Sequence, residues 1–138
     1  MIELTDQMRD MIARALDDKL PVIATSVDSD GQPTIAFYGS TQVHSPEQLA
    51  IWVRNPNAGL LGRIAENPRM AFMYRNPGEQ IGWLFHGRAR RPEVGEESQR
   101  VYDNAHQLEK DRDPDQGGVA VVIDVDRVIA RGEVLMER

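Results

Sequence analysis

The sequence predicts a mainly β protein, a small antiparallel β-barrel with a few helices. Two observations favour this fold class. Short runs of alternating apolar and polar residues flank the turn sequences Asp28–Gly31 and His44–Glu47, as in β-hairpins. A strand–helix–strand unit follows between Ile51 and Tyr74. Hairpins of short strands with a few helices between them are typical of a small antiparallel barrel.

The N-terminal part is predicted to begin with a helix from Thr5 to about Leu16. Thr5 is a suitable N-cap, and the residues at helical spacing after it are apolar: Met8, Met11, Ile12, Ala15 and Leu16. Two strands are predicted next, Val22–Val27 and Pro33–Val43, one on each side of the first turn.

The unit between Ile51 and Tyr74 is predicted to contain a short helix between two strands. Asn55–Pro56 favours a helix start, because Asn caps free amides and Pro fits the first helical position. Asn67–Pro68 is predicted to end the helix, because Pro biases the residue before it out of the α region. Arg69–Arg75 then alternates as a strand.

The start of this short helix is a candidate anion site. Its unpaired N–H groups attract phosphate or carboxylate, and Arg54 lies just before it. Gly59 and Gly62 would let a flat ligand or another backbone approach closely. The alternative is that both glycines serve helix–sheet packing and that Arg54 is a solvated strand end.

The C-terminal half is predicted to contribute strands on both sides of one amphipathic helix. In the strand Ile81–Arg91, alternation turns Trp83 towards the barrel interior and His86 towards a polar outer face or a dimer surface. A helix is predicted from Pro92 to Leu108, with an acidic loop after it. The last strands are predicted at Val119–Val125, buried on both faces, and at Val128–Met136.

The composition describes a single globular domain, residues 1–138. The chain is 41% apolar and 28% charged, which is ordinary for such a domain. It has no cysteine, and its three histidines are well separated, so we expect no thiolate metal site and no catalytic metal. It has no membrane-length apolar run and no signal-peptide pattern, so we expect a cytoplasmic location and no membrane partner.

The charge is unevenly distributed along the chain. The net charge is −6, and we therefore expect no nucleic-acid partner. The stretch from Arg54 to Arg91, however, carries seven arginines and two glutamates. This basic middle favours a small anionic ligand, although the arginines equally suit solvated sheet edges. No Ser/His/Asp triad signature, Walker loop or GxGxxG motif occurs, so any redox chemistry would come from a bound cofactor.

Three motifs, in this order and spacing, resemble the pyridoxamine 5′-phosphate oxidase-like FMN-binding proteins, a group that includes the flavin/deazaflavin oxidoreductases of actinobacteria. They are DGQP at 30–33, NPRMA at 67–71 and GRAR at 87–90. The resemblance covers nearly the whole chain. It implies a six-stranded antiparallel split barrel of Greek-key type. It also implies a homodimer with FMN or the deazaflavin coenzyme F-420 in grooves at the interface.

The resemblance also implies a cofactor site. The strand 34–38 would run beside the isoalloxazine ring, and the segment 52–57 would lie near the phosphate tail. The family's basic residue at the helix start is missing here, so Arg54 or Arg63 would have to bind the phosphate. The implied cofactor-binding residues are Ala36, Tyr38, Trp52, Arg54, Asn55, Gly59, Leu60, Arg63, Trp83 and His86.

Three functions remain open from the sequence. The first is a flavin- or deazaflavin-dependent oxidoreductase that acts on a small organic substrate. The second is a haem- or tetrapyrrole-binding protein without oxidase activity, with His86 or His106 as the axial ligand. The third is a homodimeric interaction module that has lost its cofactor.

Overall fold

The computed structural model describes all 138 residues and contains one antiparallel sheet of eight strands with four helices. The strand order is β2-β1-β5-β6-β7-β4-β3, and β8 pairs with the end of β7. The strands are β1 (Ile23–Val27), β2 (Pro33–Phe37), β3 (Gln42–Ser45), β4 (Gln48–Val53), β5 (Arg69–Asn76), β6 (Ile81–Arg90), β7 (Val119–Ala130) and β8 (Glu133–Glu137). The helices are α1 (Asp6–Ala13), α2 (Gly59–Glu66), α3 (Glu96–Asn104) and α4 (Gln107–Asp111).

The predicted mainly β, antiparallel fold is confirmed, but the sheet has eight strands and not six. The predicted strand Pro33–Val43 is divided by a turn, in which the Thr41 N–H donates to the Tyr38 carbonyl at 3.1 Å. The predicted last strand is divided at Gly132, whose φ of +77° lies in the left-handed region. The remaining strands lie close to their predicted positions.

The two outermost strands of the sheet, β2 and β3, are consecutive in the chain and joined by the segment 38–41. No ladder of hydrogen bonds connects them, so the barrel wall has a seam at this turn. The N-terminal segment packs at the β3 side, where the Leu4 N–H donates to the Pro46 carbonyl at 2.7 Å and α1 contacts β3. We call the region of this turn the seam.

The main core lies inside the curved sheet, and a smaller one lies outside it. The inner core includes Phe72, Tyr74 and Phe85, which are almost completely buried. Each such side chain stabilises the fold by about 1.5–3 kcal/mol. On the other face of β4 and β7, α3 covers a six-residue cluster that includes Trp52 and Tyr102. The first part of β7 is therefore buried on both faces, as predicted.

The short helix α2 begins later than predicted. Its N-cap is Ala58, which supplies no side-chain cap. The Asn55 side chain instead accepts a hydrogen bond from the Asn57 N–H at 2.9 Å, and this local turn delays the helix start. The predicted end at Asn67–Pro68 is correct, since α2 ends at Glu66.

The long helix predicted from Pro92 to Leu108 is two shorter helices. The break lies at Ala105, whose backbone is extended, and the His106 ring caps α4 by accepting from the Leu108 N–H at 3.1 Å. As a result Leu108 is exposed, and Tyr102 and His106 do not share one helix face. A capping histidine gives no sequence signal as clear as Ser, Thr, Asn or Asp.

None of the four helices is both long and apolar enough to cross a lipid bilayer.

Candidate functional site

A cavity of about 290 Å³ opens at the seam, where β2, β4 and α4 meet. The turn that forms it is tied to β4 through Ser40: the Ser40 hydroxyl donates to the Trp52 carbonyl at 3.0 Å and accepts from the Trp52 N–H at 2.8 Å. The residues that line the cavity are Phe37, Tyr38, Gly39, Ser40, Trp52, Val53, Arg54, Asn55 and Glu109.

Trp52 is held rigidly in the cavity wall. Its indole N–H donates to the Asp113 carboxylate at 2.8 Å, and its ring meets Tyr102 edge-on with centroids 5.0 Å apart. Burial raises the pKa of the Asp113 carboxyl. The hydrogen bonds from Trp52 and from the Gly117 and Gly118 amides outweigh burial, so that its pKa lies below the usual value. The loop 113–118 thus holds an aromatic wall in a fixed orientation.

Arg54, one of the predicted cofactor-binding residues, lines the cavity and is already paired. Its Nε atom is 3.1 Å from a carboxylate oxygen of Glu109, whose side chain is only 9% exposed. Sequence reasoning missed Glu109, because the predicted helix ended at Leu108 and the residue after it was given no role. Nothing local in the sequence indicates that α4 carries Glu109 into the cavity.

Arg63 is the second predicted cation, and it has no carboxylate partner. Its Nε donates to the Ser26 hydroxyl at 2.7 Å, and its guanidinium lies close enough to Tyr38 for its charge to act on that phenol group. Burial raises the pKa of Tyr38, and the positive charge of Arg63 partly offsets that shift. A methyl group at Gly59 would lie 2.9 Å from the guanidinium, so the helix start leaves room for it. Arg63 is thus a half-buried cation held only by neutral groups.

The remaining predicted residues are divided between the cavity, the exposed surface and the core. Tyr38, Trp52, Arg54 and Asn55 line one cavity. Ala36 lies on β2, where every residue is exposed. Leu60 and Trp83 belong to the inner core, and Trp83 stacks on Tyr74 with ring centroids 5.3 Å apart. These two do not line the cavity.

His86 lies in a second, larger cleft of about 530 Å³ on the outer face of the sheet. A row of cross-strand neighbours crosses this cleft from β1 to β8: Thr25, Ala71, His86, Arg127 and Glu137. The His86 ring makes no hydrogen bond within the chain. By contrast, the His106 ring binds Asp17 at 2.8 Å and His44 binds Glu97 at 2.9 Å. His86 is therefore the one histidine whose two ring nitrogens both lack a hydrogen bond, since His44 lacks a partner only at its buried Nδ1.

The cleft around His86 carries an excess of positive charge. Arg127 pairs with Glu137 at 3.2 Å, and Arg138 lies 3.4 Å from Asp126. Arg69 also lines the cleft and has no acidic partner in an ion pair. Such a surface suits acid groups of a ligand better than cationic ones.

A row of six apolar residues crosses the same outer face, beside the cleft. Each is the cross-strand neighbour of the next, on six successive strands: Phe37, Ile23, Met73, Leu84, Ile129 and Val134. Phe37 is 70% exposed and Met73 is 42% exposed. We call this set the apolar row. Phe37 also belongs to the wall of the seam cavity, so the row and the cavity adjoin.

Comparison with known proteins gives the fold. No family model and no curated protein matches the sequence. A candidate pyridoxamine 5′-phosphate oxidase from Lactobacillus delbrueckii superposes with a TM-score of 0.66 at 19% identity, over 94% of this chain and 95% of that one. The chain has the pyridoxamine 5′-phosphate oxidase-like split-barrel fold. The resemblance read from the sequence motifs is thereby confirmed for this fold, while the actinobacterial deazaflavin branch stays a prediction.

Two other proteins with this fold are a flavin-binding and a haem storage protein. An FMN-binding protein from Syntrophomonas wolfei matches with a TM-score of 0.67 and 13% identity, over 91% of this chain and 88% of that one. HutZ, a haem storage protein from Vibrio cholerae, matches with a TM-score of 0.63 and 12% identity, over 87% of this chain and 92% of that one. This split-barrel fold therefore occurs in proteins that bind each of the two groups.

The residues of this split barrel fit a flavin with one phosphate. Phe37, Tyr38 and Trp52 supply aromatic surface at the seam cavity. Arg63 does not line that cavity, but it lies close to Tyr38 and supplies a cation free of carboxylates. Arg54 does not fit the role of phosphate ligand, because Glu109 occupies it.

Proposed function

We propose that the protein is a homodimeric, flavin-dependent oxidoreductase that acts on a small organic substrate. The flavin would lie at the edge of the dimer interface, with its ring against Phe37, Tyr38 and Trp52 and its phosphate near Arg63. When bound, a flavin supplies hydride transfer to or from the substrate, so the protein needs no acid–base residue of its own. The chain's residues then bind the cofactor, orient it and exclude water.

The main support for this proposal is that Arg63 has no carboxylate partner. A half-buried guanidinium with only hydroxyl partners keeps hydrogen-bonding capacity for an acid group, and a phosphate takes it up without displacing a carboxylate. A single free arginine also suits the one phosphate of FMN better than the longer anionic tail of the deazaflavin coenzyme F-420.

The homodimer part of the proposal rests on the apolar row. Phe37, Met73 and Val134 of this row are exposed and the other three are half-buried. A continuous line of such apolar side chains across a sheet is uncommon on a monomer surface and is typical of an interface. Because a twofold axis brings the same patch of both protomers together, two rows would cover each other. The seam cavity, which shares Phe37 with the row, would then open at the edge of the interface.

The cofactor test is a titration of the purified protein with FMN and with riboflavin, followed by flavin absorption and fluorescence. We expect Arg63→Gln to weaken FMN binding by about tenfold or more and to leave riboflavin binding nearly unchanged, because riboflavin lacks the phosphate. Arg75→Gln, at an exposed arginine away from the cavity, is the matched control. If Arg63→Gln lowers the affinity for both flavins equally, Arg63 does not bind the phosphate. If the wild type binds neither flavin, the proposal is wrong.

The dimer test places a charge in the middle of the apolar row. We expect Met73→Glu to sediment as a monomer at micromolar concentration, since two buried carboxylates would face each other across the axis. Ala65→Glu, on the exposed side of α2, should remain a dimer like the wild type. A wild-type protein that sediments as a monomer would contradict the interface.

Haem binding is the second candidate function, and the free His86 ring favours it. The imidazole lies in a cleft of about 530 Å³ with Arg69, which has no acidic partner in an ion pair and would suit a propionate. We expect haemin to give a sharp Soret band in the wild type and in His106→Ala, since His106 is engaged with Asp17. The band should be lost in His86→Ala. An unchanged band in His86→Ala would exclude this ligand.

A further inference from the structure

Glu109 places a nearly buried carboxylate in the seam cavity, next to Arg54. Without Glu109, an acid group of a ligand could pair with Arg54. The Glu109 side chain is 9% exposed, and its one charged partner is Arg54, at 3.1 Å. The Arg54 side chain is 46% exposed, so the buried member of the pair is the acid. Buried carboxylates are rare unless they are paired, and here the pair lies in the wall of a cavity.

Gly39 makes room for this carboxylate. A methyl group at position 39 would lie 2.6 Å from the second carboxylate oxygen of Glu109 and 3.0 Å from a methyl group of Leu16. Both distances are shorter than normal contacts, so any larger residue at 39 would displace the acid. The backbone at Gly39 has no positive φ, and close approach is therefore the reason for glycine at this position.

We infer that Glu109 is an internal anion that takes the place of a ligand's acid group at Arg54, and so determines which ligand groups this end of the cavity admits. A phosphate or carboxylate at Arg54 would have to break the ion pair and then lie beside a second negative charge in a poorly solvated wall. An uncharged polar group of a ligand would avoid this electrostatic repulsion and would not need to break the ion pair. The inference rests on the proposed function only in treating this cavity as the ligand site.

Inorganic phosphate is the probe for this inference, with the Trp52 indole N–H as the reporter. The chain has two tryptophans, so its two indole signals are easily assigned in a nitrogen–proton NMR spectrum. We expect Glu109→Gln to bind phosphate about tenfold more tightly than the wild type. The gain should disappear when Arg54→Gln is added to Glu109→Gln. Glu93→Gln, which changes the net charge equally at an exposed site, should behave as the wild type.

Gly39→Ala provides an independent second variant. It leaves the net charge unchanged but forces the Glu109 carboxylate away from its position, so it should also tighten phosphate binding at Arg54. A thermal unfolding scan of each variant establishes that it is folded. The inference is wrong if neither Glu109→Gln nor Gly39→Ala gains phosphate affinity, or if the gain persists without Arg54.

Flavin titration of the same variants separates this inference from the proposed function. If Glu109→Gln gains phosphate affinity through Arg54 while no variant binds FMN or riboflavin, the inference holds and the flavin proposal fails. If the wild type binds FMN through Arg63 and Glu109→Gln gains nothing for phosphate, the flavin proposal holds and the inference fails.

Discussion

At the scale of single residues, Glu97 is the centre of a charged network that fixes α3 to the sheet. Arg90, at the end of β6, donates two hydrogen bonds of 3.0 Å to its carboxylate. The His44 ring, whose side chain is completely buried on β3, lies 2.9 Å from the same group. The hydrogen bonds from Arg90 first, and the contact with His44 second, hold the pKa of Glu97 at about 2 against a usual 4.5, although burial opposes them. The Arg100 guanidinium belongs to the same network, since it lies 2.9 Å from the His44 Nε2 atom that faces Glu97.

This lowered pKa predicts how the network responds to pH. A carboxyl whose pKa is lower in the folded state stabilises the fold above its unfolded pKa of 4.5, and this contribution is lost as the pH falls towards about 2. We therefore expect Glu97→Gln to lower the free energy of unfolding near neutral pH, and the difference from the wild type to shrink as the pH falls through this window.

Urea denaturation at several pH values measures this difference. Glu93→Gln, at an exposed glutamate outside the network, should differ little from the wild type at any pH. A Glu97→Gln deficit that is the same at neutral and acidic pH would mean that the carboxylate charge does not hold α3.

At the scale of elements, α2 has a glycine whose role can be measured. Gly62 lies inside the helix and is exposed, and a methyl group there would meet nothing within 4 Å. We expect Gly62→Ala to raise the free energy of unfolding by about 0.5–1 kcal/mol, because alanine loses less backbone entropy in a helix. Equilibrium urea unfolding measures this change.

The same variant tests the close-approach interpretation of this glycine. Unchanged flavin affinity in a stabilised Gly62→Ala protein would show that the ligand does not contact Gly62. A lower flavin affinity in the folded Gly62→Ala protein would show that Gly62 does more than stabilise α2 and that this face of the helix contacts the ligand.

The sequence was most informative for elements with a strict period and clear ends. The alternation in β6 and the Asn67–Pro68 stop of α2 were read correctly, because pleat geometry and the missing proline N–H act locally. The break in the predicted Pro33–Val43 strand was missed, although Gly39–Ser40 is a possible turn pair, because the residues were assigned to one continuous alternating strand. The turn is held by contacts to β4, which is distant in sequence from β2.

The candidate site was predicted in part for the same reason. Tyr38, Trp52, Arg54 and Asn55 do meet in one cavity, because β2 and β4 were recognised as strands. Glu109 could not be found from the sequence, since its position depends on the cap that the His106 ring gives α4 and on the space at Gly39. Charge pairing between distant segments is a tertiary property, and no local pattern predicts it.

At the scale of the whole molecule, the proposed dimer predicts that stability depends on association, because the apolar row would be buried between two copies. A dimer that unfolds to separate chains has a midpoint temperature that rises with protein concentration, by mass action. We expect this dependence for the wild type in thermal scans over a hundredfold range of concentration, and its absence in Met73→Glu. A wild-type midpoint independent of concentration would argue that the row is covered by something other than a second copy.

The seam between β2 and β3 has a consequence for the motions of the barrel. Five strands (β1, β4, β5, β6 and β7) are paired along both edges and β3 is backed by α1, whereas at the seam two unpaired edges are joined only by a turn of four residues. We therefore expect local opening of the sheet at the seam, and the backbone amides of β2 should exchange with deuterium sooner than those of β5 and β6. A ligand bound in the adjoining cavity would contact both sides of the seam and slow that exchange.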